Sequence, residues 1–397
     1  MNICYFDVGE ARWMYSSAAS LALYGHDLHF IHFDSDINSA YRYTMDVEVG
    51  IDKSTEVVQL GILRIPKTTS NGLFSSLQDY SSHLKDALSQ IHPNVIIAGT
   101  NYWRTAYILA KHFDIPLILW VNAAAFGLHK LPVYIKYGKN FKKSLMLLLG
   151  FGYNYLLSCF SNYLITRDLL SISTLRKMGM RNIEIVWPTY ARFTEKDAYA
   201  KFLGGEKASQ GIAHLTLPYV LSVITLQKGS HAYYIEAKAI DFLINIATKM
   251  PEVNFLVIGT SPEDIKALYG YKYPKNLLPL GKVYDDREMA KLYRNAFCVV
   301  APIYIPGFTN RILEAYFYSK PLVSTPLVDK SFKGLKDNVN IMFSKNPTEA
   351  VERITKVLVD EQFRMKLEEN ARRYYLEYFS PEMHARKLEQ IIRRVRE

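Results

Sequence analysis

The feature that most constrains this chain is an alternation of short apolar runs with helically spaced segments, which fades once and then restarts. In the first half, Asn2 to Phe6 reads as a strand, and Glu10 to Tyr24 as a helix closed by Gly25. Asp27 to Phe33 and Val57 to Ile65 are further strands, and Leu73 to Ile91 has helical spacing. Strand Asn94 to Ala98, helix Trp103 to Phe113 and strand Pro116 to Val121 follow, and Asn162 to Thr166 and Ile183 to Val186 close the series. Strands separated by helices predict βαβ units around a parallel sheet.

Between Ala191 and Pro218 the rhythm weakens into charge, few large apolar residues and three glycines (Gly204, Gly205, Gly211). This composition predicts a linker or peripheral segment. Strands then resume at Tyr219 to Ile224, Asn254 to Ile258, Leu277 to Leu280, Phe297 to Val300 and Pro321 to Ser324. Helices are expected over Glu236 to Lys249, Asp285 to Asn295, Asn310 to Tyr318, Pro347 to Val359, Glu361 to Phe379 and Pro381 to Arg396. The fold class is α/β, with two Rossmann-like doubly wound domains: 1–190, then 191–217 as connection, then 218–397. Such sheets bind ligands at the carboxyl ends of their strands, and two of them face a common cleft.

A chain of 397 residues, 49% hydrophobic and 22% charged, is globular rather than disordered. Its net charge of +10 favours anionic partners without choosing among them. Cys4, Cys159 and Cys298 each lie in an apolar run with no metal-clip spacing, and are read as small buried hydrophobes. The opening residues read as a strand, not as the charged start of a signal peptide. Ser144 to Ile165 carries no charge, but Gly150, Gly152, Asn154, Ser158, Ser161 and Asn162 interrupt it, which favours a buried helix running into a strand over a membrane span.

Chemistry concentrates in Pro306-Gly307-Phe308-Thr309-Asn310-Arg311-Ile312-Leu313-Glu314-Ala315, followed by Ser319-Lys320-Pro321-Leu322-Val323-Ser324. A glycine turn enters a helix, so the backbone N–H groups from Gly307 to Asn310 are expected unpaired, as an anion site for a diphosphate or a sugar hydroxyl. Glu314, one turn inside, is suited to accept hydrogen bonds from a ribose diol. The plain alternative is a capped surface helix with a solvated glutamate.

This segment resembles the donor-site signature of retaining glycosyltransferase family 4. The resemblance spans Tyr219 to Phe379, with Gly259 after Phe255-Leu256-Val257-Ile258, Leu280-Gly281-Lys282-Val283, and the helix and strand from Asp285 to Pro302 in matching order. It implies the GT-B fold. It also implies transfer of a hexose-type sugar from a nucleoside diphosphate sugar, with retention and without a metal or other cofactor. Glu314 and the backbone around Gly307, Phe308, Thr309, Asn310, Gly259 and Val283 are then the donor site. The family's earlier glutamate, separated from the matching one by seven residues, is replaced here by Pro306. Its Arg–Lys pair after the first strand of the second domain meets Thr225 where the Arg belongs. Lys228 and Lys238 are the two candidates for the Lys, of which Lys238 fits better. These charges would stabilise the leaving diphosphate.

The first half resembles the family less. Gly9 stands in the loop after the first strand, with Arg12 beside it, and Asn122 occupies the position of a frequent His. His129 and His26 read as packing or structural residues. Phe126 to Tyr137 interleaves apolar and basic residues, and Lys139, Lys142 and Lys143 extend it, a pattern suited to an anionic membrane surface and a lipid-linked acceptor. The expected partners are thus a nucleoside diphosphate sugar and a glycan or lipid-linked acceptor, in the cytoplasm or on the cytoplasmic face of a membrane. No aromatic-basic motif supports nucleic acid. The final helix is expected to return to the first domain. The competing readings are an inactive nucleotide-sugar-binding protein and another GT-B enzyme such as an epimerase.

Overall fold

The computed structural model describes residues 1–6, 12–34, 41–50, 56–66, 81–99, 103–121, 159, 161–167, 169–193, 218–226, 233–270, 273–305 and 307–397. They fall into two compact units. The first takes the described residues of Met1–Leu128 and Lys142–Glu206 together with Phe379–Glu397, and the second takes those of Lys207–Tyr378.

The first unit runs β1 (Asn2–Phe6), α1 (Arg12–Ala22), β2 (Asp27–Asp34), β3 (Tyr41–Val49), β4 (Glu56–Pro66), α2 (Ser81–Ile91), β5 (Val95–Gly99), α3 (Trp103–Phe113), β6 (Leu117–Val121), β7 (Tyr163–Thr166), α4 (Leu169–Lys177), β8 (Ile183–Ile185) and β9 (Ala191–Phe193). Its sheet has the order β8-β7-β6-β5-β1-β2-β4-β3-β9. From β8 to β4 neighbours are parallel, as the alternation predicts. β3 is not: it runs antiparallel to both β4 and β9. The sheet therefore extends into Ala191–Phe193, at the start of the segment read as a connection. Both faces of the sheet are apolar and covered, which explains why its central strands are continuous hydrophobic runs. Cys4 is buried as expected, but Cys159 is exposed, since a single apolar neighbourhood in sequence does not guarantee burial.

The second unit runs β10 (Tyr219–Val223), α5 (Tyr233–Lys249), β11 (Asn254–Ile258), α6 (Pro262–Tyr269), β12 (Leu277–Gly281), α7 (Asp286–Asn295), β13 (Cys298–Ala301), α8 (Asn310–Phe317), β14 (Leu322–Ser324), a 3₁₀ turn (Pro326–Lys330), β15 (Met342–Phe343), α9 (Pro347–Val359) and α10 (Glu361–Tyr378). Its sheet is parallel throughout, ordered β12-β11-β10-β13-β14-β15. Counting from β10, this is the 3-2-1-4-5-6 order of a doubly wound dinucleotide-binding sheet, with its switch point between β10 and β13.

The last helix, α11 (Pro381–Arg396), belongs to the first unit. Ala385, Leu388, Ile391 and Ile392 on it are fully buried in the core that β1, β2 and α1 also build. Polar contacts fix its register. His384 Nε2 pairs with Ser17 Oγ at 2.7 Å, its Nδ1 with the Trp187 carbonyl at 2.7 Å, and its ring stacks on Trp120. His26 Nε2 meets Glu389 Oε1 at 2.7 Å, so His26 anchors this helix. Burial opposes the charge on Glu184, yet hydrogen bonds from Lys387, Tyr163 and Arg394 hold its carboxyl down to about 2.

Candidate active site

The carboxyl ends of β10, β11 and β12 are joined by short backbone links. Gly259 N–H donates to the Gly281 carbonyl at 2.7 Å, Gly281 N–H to the Thr260 carbonyl at 2.9 Å, and the buried Thr260 hydroxyl to the Ile224 carbonyl at 2.6 Å. Gly259 has φ +90°, and a Cβ there would stand 2.8 Å from both the Ile224 carbonyl and Thr225 Oγ1. Only glycine permits this approach. Two predicted site residues, Thr225 and Gly259, are thereby brought into contact, with the Thr225 side chain exposed above the strand end. Val283 follows two residues after the linked Gly281 and is half-buried.

Across the switch point, the loop after β13 is pinned to the segment after β14. Ile303 N–H donates to Thr325 Oγ1 at 3.0 Å, and Gly307 N–H donates to Ser331 Oγ at 2.7 Å. The second bond corrects one expectation: the Gly307 N–H is occupied rather than open, because the buried Ser331 hydroxyl reaches it. Gly307 still has φ +153°, and no described atom lies within 4 Å of where its Cβ would be, so its backbone can be approached closely. The Phe308 ring is buried and stacks on Phe332 with centroids 5.0 Å apart, so that side chain holds the turn in place. Thr309 is the N-cap of α8 with no side-chain cap; instead its Oγ1 accepts from Arg311 Nε at 3.2 Å. Asn310 opens the helix, and its Oδ1 is shielded from solvent with no partner among the described residues.

Glu314 is only 6% exposed, which excludes the solvated surface glutamate. Its Oε2 accepts from the Tyr293 hydroxyl at 2.8 Å. Lys238 lies in the second turn of α5, exposed, with Nζ 4.8 Å from the centre of the Tyr304 ring. Burial first, then nearby Asp241, push the Tyr304 hydroxyl up to about 12, so the ring stays neutral beneath the ammonium.

The first turns of α5 and α8 are joined by an ion pair that flanks the switch point. Arg311 Nη2 is 3.0 Å from Glu236 Oε1, and its Nη1 donates to the Val223 carbonyl, the last residue of β10, at 3.1 Å. Both side chains are mostly buried. Lys228, Asn122, Gly9 and Pro306 lie outside the described residues, as do His129 and Phe126 to Tyr137.

Residues 226–360 match the family described as Glycosyl transferases group 1. Among solved structures, the chain is similar to sucrose-phosphate synthase from Thermosynechococcus elongatus, at 15% identity and a TM-score of 0.66, covering 99% of this chain and 98% of that one. It is also similar to HepE from Anabaena solved with UDP and glucose (14%, TM-score 0.61, 98% of each chain). A third likeness is to WaaG, a glycosyltransferase involved in lipopolysaccharide biosynthesis (15%, TM-score 0.56, 98% of this chain and 99% of that one). The chain has the GT-B fold, and its residues 226–360 match the group 1 glycosyltransferase family. Among curated proteins, none matches the chain in sequence.

The sequence singles out Glu314 and the turn before it, and gives no direct mark of Arg311, Tyr293, Tyr304 or Ser331 around them. Arg311 carries an indirect signal. A cation in the first turn of a helix opposes the helix dipole, which favours anions there, so it requires a partner. Among the described residues, no group of three or more His, Cys, Asp or Glu is placed to hold a metal. Nor is any described helix long and apolar enough to cross a membrane.

Proposed function

We propose that this chain is a glycosyltransferase that moves a hexose-type sugar from a nucleoside diphosphate sugar to a glycan or lipid-linked glycan, with retention and without a metal. The observation that carries the reading is the buried Glu314, on the helix that follows the glycine turn beside the β10–β13 switch point. Hydrogen bonds to a charged carboxylate are strong where water is largely excluded, so the hydroxyls of a ligand's diol suit a carboxylate in this setting. We assign Glu314 to the ribose, and the backbone of Gly307, Phe308, Thr309 and Asn310 to the donor's phosphates or sugar. Thr225, Gly259 and Val283 line the strand ends where the rest of the nucleotide lies.

Lys238 is the cation assigned to the leaving diphosphate, with Lys228 as second candidate. The Tyr304 ring favours a cation at the position Lys238 occupies. Catalysis then rests on holding donor and acceptor in line and on stabilising the charge that develops as the sugar–phosphate bond breaks. Gly9 and Asn122 are assigned to the acceptor half of the reaction. HepE, solved with UDP and glucose, supports a nucleoside diphosphate hexose, and WaaG, involved in lipopolysaccharide biosynthesis, supports a glycolipid acceptor. The basic, apolar stretch Phe126 to Tyr137 is assigned to an anionic membrane surface on the cytoplasmic side.

The test is calorimetric titration with a panel of nucleoside diphosphate sugars, alongside assay of nucleoside diphosphate release. One donor is expected to bind and to be slowly hydrolysed. In Glu314→Ala that binding is expected to weaken by roughly 10- to 100-fold, the cost of losing hydrogen bonds to a charged group. Equal binding by parent and variant would remove Glu314 from the site. Binding without turnover, even with acceptor glycans supplied, would favour the inactive-binder reading.

A further inference from the structure

We propose that Tyr293 is a positioning residue for the donor site, fixing the Glu314 carboxylate in the orientation that meets the ribose hydroxyls. This rests on the assignment of Glu314 to the ribose. The two residues come from different helices, α7 and α8, and three contacts close a circuit between them. The Tyr293 hydroxyl donates to Glu314 Oε2 at 2.8 Å. The Tyr293 ring stacks on the Tyr318 ring, with centroids 4.9 Å apart and planes within 13°. Tyr318 in turn donates its backbone N–H to the Glu314 carbonyl at 3.0 Å. Glu314 is thus held at both its main chain and its side chain by one tyrosine stack.

The stack is itself anchored. Tyr293 is fully buried, and the Tyr219 hydroxyl on β10 donates to the neighbouring Leu292 carbonyl at 2.8 Å. The position of α7 is therefore tied to the central strand of the sheet. A free glutamate samples several rotamers, whereas meeting a vicinal diol needs the carboxylate plane held still. A phenol that served only to satisfy a buried carboxylate would support stability and leave discrimination between hydroxyl patterns unchanged. The two roles make different predictions.

The experiment titrates the full chain with whichever of ADP, GDP and UDP binds most tightly, and with its 2′-deoxy counterpart. The parent is expected to prefer the ribose form, and Glu314→Ala to lose that preference. Tyr293→Phe is expected to lower it by about 3- to 10-fold, the worth of one hydrogen bond, while affinity for the deoxy form stays within about twofold of the parent. That unchanged deoxy affinity also reports that the variant is folded. Should Tyr293→Phe fail to fold, Tyr318→Leu keeps the phenol but removes the ring it stacks on, and is expected to lower the same preference about twofold or more. Equal weakening of both nucleotides, or an unchanged preference, would overturn the positioning role while leaving Glu314 in place. A parent that does not distinguish the two sugars, or a Glu314→Ala that distinguishes them as well as the parent, would overturn the ribose assignment and this inference with it.

Discussion

The second sheet is parallel from edge to edge, whereas the first turns antiparallel at one side, where β3 runs against both β4 and β9. Parallel strands need helical crossovers that cover both faces, so they are written as unbroken apolar runs. The antiparallel edge is written differently. Along β3, Met45, Val47 and Val49 are buried while Arg42 and Thr44 are exposed and Asp46 and Glu48 are half-buried. A search for apolar runs finds β1, β5, β6, β10 and β13, and passes over β3 because its period is two. The units also differ in how they are closed. In the second, α9 and α10 come from the same continuous stretch as the sheet. In the first, one face is covered by α11, which arrives from the far end of the chain.

The sharpest way to test that second difference is to damage α11. Leu388→Ala deletes a fully buried side chain from the first unit's core and should cost about 2–5 kcal/mol there. Calorimetry should show the first unit melting earlier while the second keeps its transition. A single transition moving as a whole would mean that the two units do not unfold separately.

A smaller effect should appear with pH. Burial holds the His384 ring neutral and lowers it from the usual 6.5 to about 4, against the opposing hydrogen bond from its ring to Trp187. The unfolded chain therefore takes up the proton first. The stability supplied by the neutral ring is whole above about pH 6.5 and is lost as the pH falls towards 4, up to about 3 kcal/mol. Urea midpoints of the parent and His384→Gln should thus converge over that window. Midpoints that stay a constant distance apart would count against it.

The smallest effect should fall on the second unit. Gly259→Ala places a methyl 2.8 Å from the Ile224 carbonyl and Thr225 Oγ1 at a left-handed backbone position. The expected cost is about 1–3 kcal/mol, with weaker donor binding as the strand ends part. An alanine variant as stable as the parent would show that this turn relaxes freely.

The candidate site's glycine turn, helix and strand were legible because they are local, all within twenty residues. Its supports were not. Arg311 finds Glu236 at a sequence distance of 75 residues, Gly307 finds Ser331 at 24, and Glu314 finds Tyr293 at 21. Nothing in periodicity marks such pairs, because each is made by sheet order rather than by neighbouring residues. The same reason hid β9, three residues long, whose strand character comes from pairing with β3 and is reinforced by the Arg192–Glu48 ion pair at 2.9 Å.

The route of the chain into α11 also sets an order of assembly. Synthesis runs from the amino terminus, so the first sheet exists long before Leu388, Ile391 and Ile392 do. Until those residues emerge, one apolar face of that sheet is only partly covered, by α1, while every element of the second sheet is already made. The unit that is translated first is therefore the one whose core is completed last, and a ribosome stalled short of residue 381 would release a finished second unit beside an unfinished first.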